Sequence, residues 1–178
     1  MSNEQIAIFA GGCFWCTEPV FSQLRGVNQV VSGYIGGHTL NPNYKAICNG
    51  DTGHAEAIQI SFDADQVSFE TLLEVFLVSH DPTTPNRQGN DIGTQYRSAV
   101  FCQNQMQREA TEKMIAEFNA SNIFNAPIVT QINGAELFYP AEEYHQYFFD
   151  KNPNQPYCMA VAAPKAAKIR AKYAQLIK

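Results

Sequence analysis

The sequence predicts an α+β fold, and three observations carry the prediction. Apolar runs of strand length at residues 6–9, 27–34 and 54–62 mix with stretches of helical period at 69–79 and 105–119. Strands and helices do not alternate strictly as βαβ units, and Asn133-Gly134 between two apolar stretches reads as a hairpin turn. At 178 residues the chain suits a single domain, 1–178, large enough to bury a core, and no repeat, low-complexity tract or linker divides it.

The elements follow in order. Residues 6–9 read as a buried strand, and Gly11-Gly12 permits a tight turn before the pattern becomes helical at Cys13. Pro19 has no N–H and would clash with the Trp15 carbonyl, so a short helical turn and a second start near Pro19, ending at Gly26, are expected. Residues 27–34 read as a strand and 38–53 as largely irregular, with turn signals at Asn41-Pro42-Asn43 and Asn49-Gly50-Asp51. In the strand 54–62, Ile58, Ile60 and Phe62 share the core face, and so do His54 and Glu56. Ser68 is placed to cap the helix 69–79. The polar stretch 80–95 exceeds the roughly 12–15 residues at which structureless loops are usually functional. A strand at 96–102 and a helix at 105–119 come next, then the hairpin arms 128–132 and 137–139, a helix at 141–149 and an irregular segment at 152–156. From Pro164 onward Ile169, Tyr173 and Leu176 recur at helical spacing, and Lys165, Lys168, Arg170 and Lys172 read as a solvated face.

Bulk properties exclude several classes. A net charge of −5 gives no electrostatic reason to bind nucleic acid or anionic lipid. No apolar stretch approaches 18 residues, and the first residues lack a basic region followed by an apolar one, so no membrane span and no signal peptide are expected, and the cytoplasm is the expected location. Five cysteines, an odd number, argue against a disulfide framework and leave redox chemistry, metal binding or buried thiols.

Chemistry concentrates first at Cys13-Phe14-Trp15-Cys16. A cysteine at the start of a helix sits among unpaired N–H groups at the positive dipole end, which favours its thiolate. Its aromatic neighbours suggest a site for a small, weakly polar group. Four scattered histidines and the lack of a second Cys-x-x-Cys speak against a metal, and no cofactor is expected. Glu56 on an apolar face is the second anomaly: it is either paired with a cation such as Arg97 or held protonated as a hydrogen-bond and proton donor. Tyr44, Tyr96 and Asp91, taken singly, read as structural. Cys158 follows a proline-broken segment, the layout either of a mobile resolving thiol or of a buried cysteine.

The stretch Gly12-Cys13-Phe14-Trp15-Cys16 closely resembles the signature of the peptide methionine sulfoxide reductase A family. Three further blocks resemble the family in order: Asn41-Pro42-Asn43-Tyr44 with Gly53-His54-Ala55-Glu56; His80-Asp81-Pro82-Thr83-Thr84 through Asn86-Arg87-Gln88-Gly89-Asn90-Asp91 to Tyr96-Arg97-Ser98; and Tyr139-Pro140-Ala141-Glu142 with His145-Gln146, then Tyr157-Cys158. The resemblance implies an α+β two-layer sandwich with a mixed sheet, a ferredoxin-like elaboration. It implies reduction of the S epimer of methionine sulfoxide, free or in peptides and oxidised proteins, with recycling by thioredoxin, or by dithiothreitol in vitro. It assigns Cys13 as nucleophile and Phe14 and Trp15 as the pocket for the S-methyl group. Glu56, Tyr44 and Tyr96 are implied as donors to the sulfoxide oxygen, with Asp91 orienting that network. Cys158 resembles the resolving cysteine, with Cys16 as a competitor in that role, and Cys48 and Cys102 read as structural thiols. A general Cys-x-x-Cys thiol–disulfide oxidoreductase and a non-catalytic module binding methionine-containing peptides are the rival readings.

Overall fold

A run of small and apolar residues places the first strand at the centre of the sheet. In the computed structural model, which describes residues 3–178, β1 (Glu4–Gly11) is buried from Ala7 onward. It carries α1 (Phe14–Ser22) after a two-residue turn, then β2 (Val27–Ile35), α2 (Tyr44–Cys48), β3 (Ala55–Asp63) and α3 (Phe69–Ser79). A small hairpin, β4 (Arg87–Gln88) and β5 (Asp91–Ile92), and a 3-10 turn at Thr94–Tyr96 lead to β6 (Ser98–Phe101). Beyond it come α4 (Gln105–Ala120), β7 (Gln131–Asn133), β8 (Tyr139–Pro140), α5 (Phe148–Lys151), a π turn at Cys158–Ala162 and α6 (Ala163–Lys172).

The six-stranded sheet runs β7-β6-β1-β3-β2-β8. Its central four strands are antiparallel and, with α1 and α3, trace βαββαβ, the ferredoxin-like arrangement. At one edge β7 lies parallel to β6, which makes the sheet mixed; at the other, β8 pairs with β2. On the face covered by α1 and α3, Phe9 stacks on Phe76 at 4.7 Å and meets Phe21 and Phe69 at 5.7 and 6.0 Å. The opposite face holds a smaller cluster of Ile8, Ala10, Ala55, Ala57, Ala99 and Phe101. Among the described residues no helix is long and apolar enough to cross a membrane.

Four local expectations change. Pro19 lies inside a continuous α1 rather than starting a second helix. All of α1 but Trp15 and Ser22 is buried, and burial of that much apolar surface outweighs the roughly 3 kcal/mol cost of an interior proline. Within 38–53, Asn43 accepts from the Ala46 N–H and starts the short helix α2. Asn133-Gly134 does not make a hairpin: a type I′ turn needs positive φ at both residues, and neither has it. β7 and β8 instead sit at opposite edges of the sheet. Residues 141–149 form no single helix, because the Gln146 side chain bonds to both backbone groups of Ser32 and Tyr147 takes a left-handed φ of 51°.

The turn between β1 and α1 sets where Cys13 sits. Gly12 has φ of 96°, and a Cβ there would lie 2.7 Å from Gln88 Cγ. Gly12→Ala is therefore expected to destabilise the fold by about 1–2 kcal/mol for the backbone alone, and more if Gln88 cannot yield. Urea unfolding monitored by circular dichroism checks this; an unchanged midpoint rejects it.

Candidate active site

Cys13 is the N-cap of α1, one residue earlier than a first-turn position, with extended backbone angles of −61° and 129°. Its carbonyl accepts from the Cys16 and Thr17 N–H groups at 3.0 and 3.3 Å, while its side chain makes no capping bond. The thiol is partly exposed. Its pKa is raised well above the ordinary cysteine value, against the expectation of a favoured thiolate. Burial is the main cause; Glu56 and Cys16 add to it, and a bond from the Trp15 backbone N–H opposes it only in part. Helix-end electrostatics were legible in the sequence, whereas the desolvation that overrides them depends on what packs around the turn.

Glu56 is the carboxyl that packs there. It lies on β3 opposite Tyr34 of β2, is 1% exposed, and shares the core face with Ile58 and Ile60. Its Oε1 accepts from the Phe14 N–H at 3.1 Å, and it lies close enough to Cys13 for each to shift the other's pKa. Among the described residues no cation pairs with it: Arg97 donates to the Thr94 carbonyl at 2.9 Å and to Gln131 at 3.3 Å. Burial, with a smaller contribution from the Asp91 charge, pushes its pKa up to about 8, so the acid form prevails at neutral pH. An acid and a thiol, both neutral, thus lie together at the start of α1.

Tyr44 opens α2, held by its N–H donating to Glu142 Oε2 at 2.8 Å. Tyr96 ends the 3-10 turn before β6. Burial raises both phenols' pKa values, and the charges of Glu56 and Cys13 raise them further, so both lie within electrostatic reach of the acid and the thiol and remain donors. Asp91, at the start of β5, faces another member of the site: Tyr157 donates to its Oδ2 at 2.6 Å. The Cys16 thiol in turn donates to the Tyr157 oxygen at 3.4 Å. Cys158 shares a buried cluster with Cys16 and Ala162. It is fully buried at the head of the π turn, shortly after the irregular stretch 152–155. Burial raises the Cys16 pKa to about 11 and raises that of Cys158. Cys102 is buried and donates to Thr111, whereas Cys48, also read as a structural thiol, is exposed. It sits at the end of α2, one helical turn from Tyr44 and close enough to raise the phenol's pKa.

Phe14 is fully buried, with ring centroids 5.8 Å from Tyr34 and 5.1 Å from His145. Trp15 is half-buried and stacks on Phe148 at 3.8 Å, and its Nε1–H donates to His145 Nδ1 at 3.0 Å. That bond puts the proton of the neutral imidazole on Nε2, a buried atom with no protein partner. Burial holds the His145 pKa below its ordinary value, so the ring stays neutral. Among the described residues no group of three or more His, Cys, Asp or Glu side chains is arranged to hold a metal ion.

The site residues named from the sequence therefore fall into two linked groups. Cys13, Phe14, Trp15, Glu56, Tyr44 and Tyr96 gather at the start of α1. Cys16, Cys158 and Asp91 meet around Tyr157 behind them. Four members received no role from sequence reasoning: His145, Glu142, Tyr157 and Phe148. The first three stand inside the sequence blocks quoted above, which was the only signal for them; Phe148 had none, since its stacking on Trp15 is set by the fold of the 139–149 segment.

A model of the family described as peptide methionine sulfoxide reductase matches residues 5–177. Peptide methionine sulfoxide reductase MsrA of Chromobacterium violaceum is 53% identical over 171 residues, covering 96% of this chain and 97% of that one. The crystal structure of Mxr1 from Saccharomyces cerevisiae in its reduced form superposes with a TM-score of 0.81 at 34% identity, over 87% of this chain and 89% of that one. Mxr1 in complex with Trx2 shares the fold at a TM-score of 0.58 and 23% identity, over 80% of this chain and 84% of that one. With family blocks, fold and near-complete alignment in agreement, the chain belongs to the peptide methionine sulfoxide reductase family, in its A class.

Proposed function

We propose that residues 1–178 act as one catalytic domain in which Cys13 is the nucleophile and Glu56 the proton donor. The reaction is that of the family: reduction of the S epimer of methionine sulfoxide to methionine. The observation that carries the assignment is the buried Glu56 carboxyl, bonded to the Phe14 N–H, close to Cys13 and without a cation partner among the described residues. The general Cys-x-x-Cys oxidoreductase reading is not favoured, because the sulfoxide reductase family match runs over residues 5–177. A module that only binds peptides has no use for a protonated acid held beside a thiol.

A sulfoxide sulfur is a poor electrophile until its oxygen is protonated. Glu56 gives its proton to that oxygen while the phenols of Tyr44 and Tyr96 donate to it, and the carboxylate left behind takes the proton of Cys13. The Cys13 sulfur thereby becomes a nucleophile only once substrate is in place. The oxygen passes from methionine sulfoxide to Cys13, leaving a sulfenic acid and methionine: methionine sulfoxide gains two electrons and Cys13 loses two. The S-methyl group packs against Phe14 and Trp15, whose ring is fixed by His145 and Phe148. A second thiol then attacks the sulfenic acid, forming a disulfide and releasing the oxygen as water. Cys158 is the proposed resolver, and Cys16, one helical turn from Cys13, the alternative. Asp91 holds the Tyr157 hydroxyl over Cys16 and adds its charge to the field on Glu56. An external dithiol of the thioredoxin type reduces the disulfide; the solved complex of Mxr1 with Trx2 supports this partner. Five unpaired cysteines in a thiol-dependent enzyme suit a reducing compartment, which supports the cytoplasm.

Three outcomes are expected. Cys13→Ser abolishes methionine production from S-sulfoxide substrates with dithiothreitol, read by chromatography; residual turnover rejects the nucleophile. Glu56→Gln lowers kcat by about 10²–10⁴-fold with little change in substrate binding. In the unmodified enzyme the Glu56-dependent limb of kcat falls as pH rises through about 8, since only the protonated acid donates, and that limb vanishes in the variant. An unchanged limb places the acid elsewhere. Cys158→Ser releases one methionine per enzyme and then stalls with thioredoxin, whereas normal cycling in that variant assigns resolution to Cys16; peptide mapping of the oxidised enzyme identifies the pair.

A further inference from the structure

Recycling sets a problem of access. Either proposed disulfide joins Cys13, which is partly exposed, to a buried sulfur, Cys158 at 0% or Cys16 at 1% exposed, and a dithiol protein must exchange with one of the two sulfurs it holds. Phe148, Phe149, Tyr157 and Val161 pack against Cys16 and Cys158, and the π turn Cys158–Ala162 continues into the first turns of α6. Met159 is 58% exposed there, and Ala160, Pro164, Ala167 and Lys168 continue the exposed strip. Charge on this segment has one sign: after Cys158 the chain carries five of its twelve Lys and Arg residues and none of its seventeen Asp and Glu. The rest of the chain is correspondingly acidic.

Three of the five cations are engaged. Arg170 donates to Gln23 at 3.2 Å, Lys178 to the Ser22 carbonyl at 2.8 Å, and Lys172 lies 5.9 Å from the centre of the Tyr173 ring. Lys165 and Lys168 have no hydrogen bond or ion pair among the described residues. Both line a groove of about 440 Å³ whose apolar wall includes Val78, Ile123 and Phe124. One carboxylate, Asp81, borders the same groove; its Oδ1 accepts from the Thr83 N–H and hydroxyl, at 3.0 and 2.5 Å, and the two lysines outnumber its single charge. The Lys165 ammonium is also close enough to Cys16 to favour its thiolate.

We propose that Met159, Lys165, Lys168 and the adjoining groove form the docking surface for the recycling reductant, and that they receive an acidic segment of a dithiol protein of the thioredoxin type. The proposal rests on the reading that such a protein recycles the enzyme. An exposed apolar residue next to the disulfide-forming cysteine, rimmed by unpaired cations, matches the anatomy of a transient interface. The charges act mainly on encounter: an acidic partner is repelled by most of this molecule and drawn to this one face. Exchange then consists of thiolate attack by the partner on the enzyme disulfide, a mixed disulfide, and transfer of two electrons that leaves the partner oxidised and the enzyme's cysteines reduced.

Steady-state assays with thioredoxin and, separately, with dithiothreitol test the proposal on Lys168→Glu, Ala167→Glu and, as a control, Lys113→Glu on α4. At low ionic strength Lys168→Glu and Ala167→Glu should each lower kcat/KM for thioredoxin by about 5–10-fold and leave the dithiothreitol rate unchanged. Raising the salt should lower the rate of the unmodified enzyme with thioredoxin and remove the difference from the variants. The proposal is overturned if kcat/KM for thioredoxin is unchanged, if dithiothreitol turnover falls equally, or if Lys113→Glu loses as much. Unmodified enzyme that turns over with dithiothreitol but never with thioredoxin overturns the recycling reading itself, a result distinguishable from loss of docking alone.

Discussion

The contact between the Glu56 carboxyl and the start of α1 is the constraint on which the site depends. It spans 42 residues of sequence and joins the third strand to the first helix. Burial of an acid without a cation is costly when the acid is charged, and the protein meets that cost by keeping it protonated. The same desolvation keeps Cys13 a thiol. Neither group is reactive alone. Each becomes so when a substrate oxygen arrives to take the first proton, which couples nucleophile formation to substrate binding.

Around this contact the chain places a second layer that fixes orientation. The segment after β8 reaches across β2, where Gln146 bonds to both backbone groups of Ser32. From that anchor, Glu142 accepts from the Tyr34 hydroxyl and the Tyr44 N–H, and His145 accepts from the Trp15 indole. One irregular stretch thus holds a phenol and an aromatic wall on either side of the thiol. Its backbone breaks helical geometry at Tyr147 in order to do so. On the other side, the line from Cys16 through Tyr157 to Asp91 ties the redox cysteines to the β4–β5 hairpin. Acid chemistry and thiol exchange therefore occupy adjacent compartments that share α1.

Most of the framework was legible because its signals are local. The Ser68 cap, the apolar stripe of α3 and the parity of β3 depend on residues a few positions apart, and each is found as read. Errors arose where a distant partner overrode a local preference. Pro19 is tolerated because α1 is buried almost throughout, and Asn133-Gly134 fails as a turn because its two flanks are claimed by opposite edges of the sheet. The anomalous Glu56 was visible from strand parity alone, but its lack of a cation partner was not.

What the sequence determined by itself was the inventory: an α+β chain with one acid on an apolar face, a cysteine at a strand-to-helix turn, and ordered blocks that mark the family. Tertiary structure decided protonation and proximity. The helix N-terminus that should favour a thiolate is outweighed by the desolvation of Cys13, to which the neighbouring Glu56 on β3 adds. Cys16 and Cys158, 142 positions apart, become neighbours only because α6 packs across α1. Both outcomes arise from burial, which no pattern of neighbouring residues encodes.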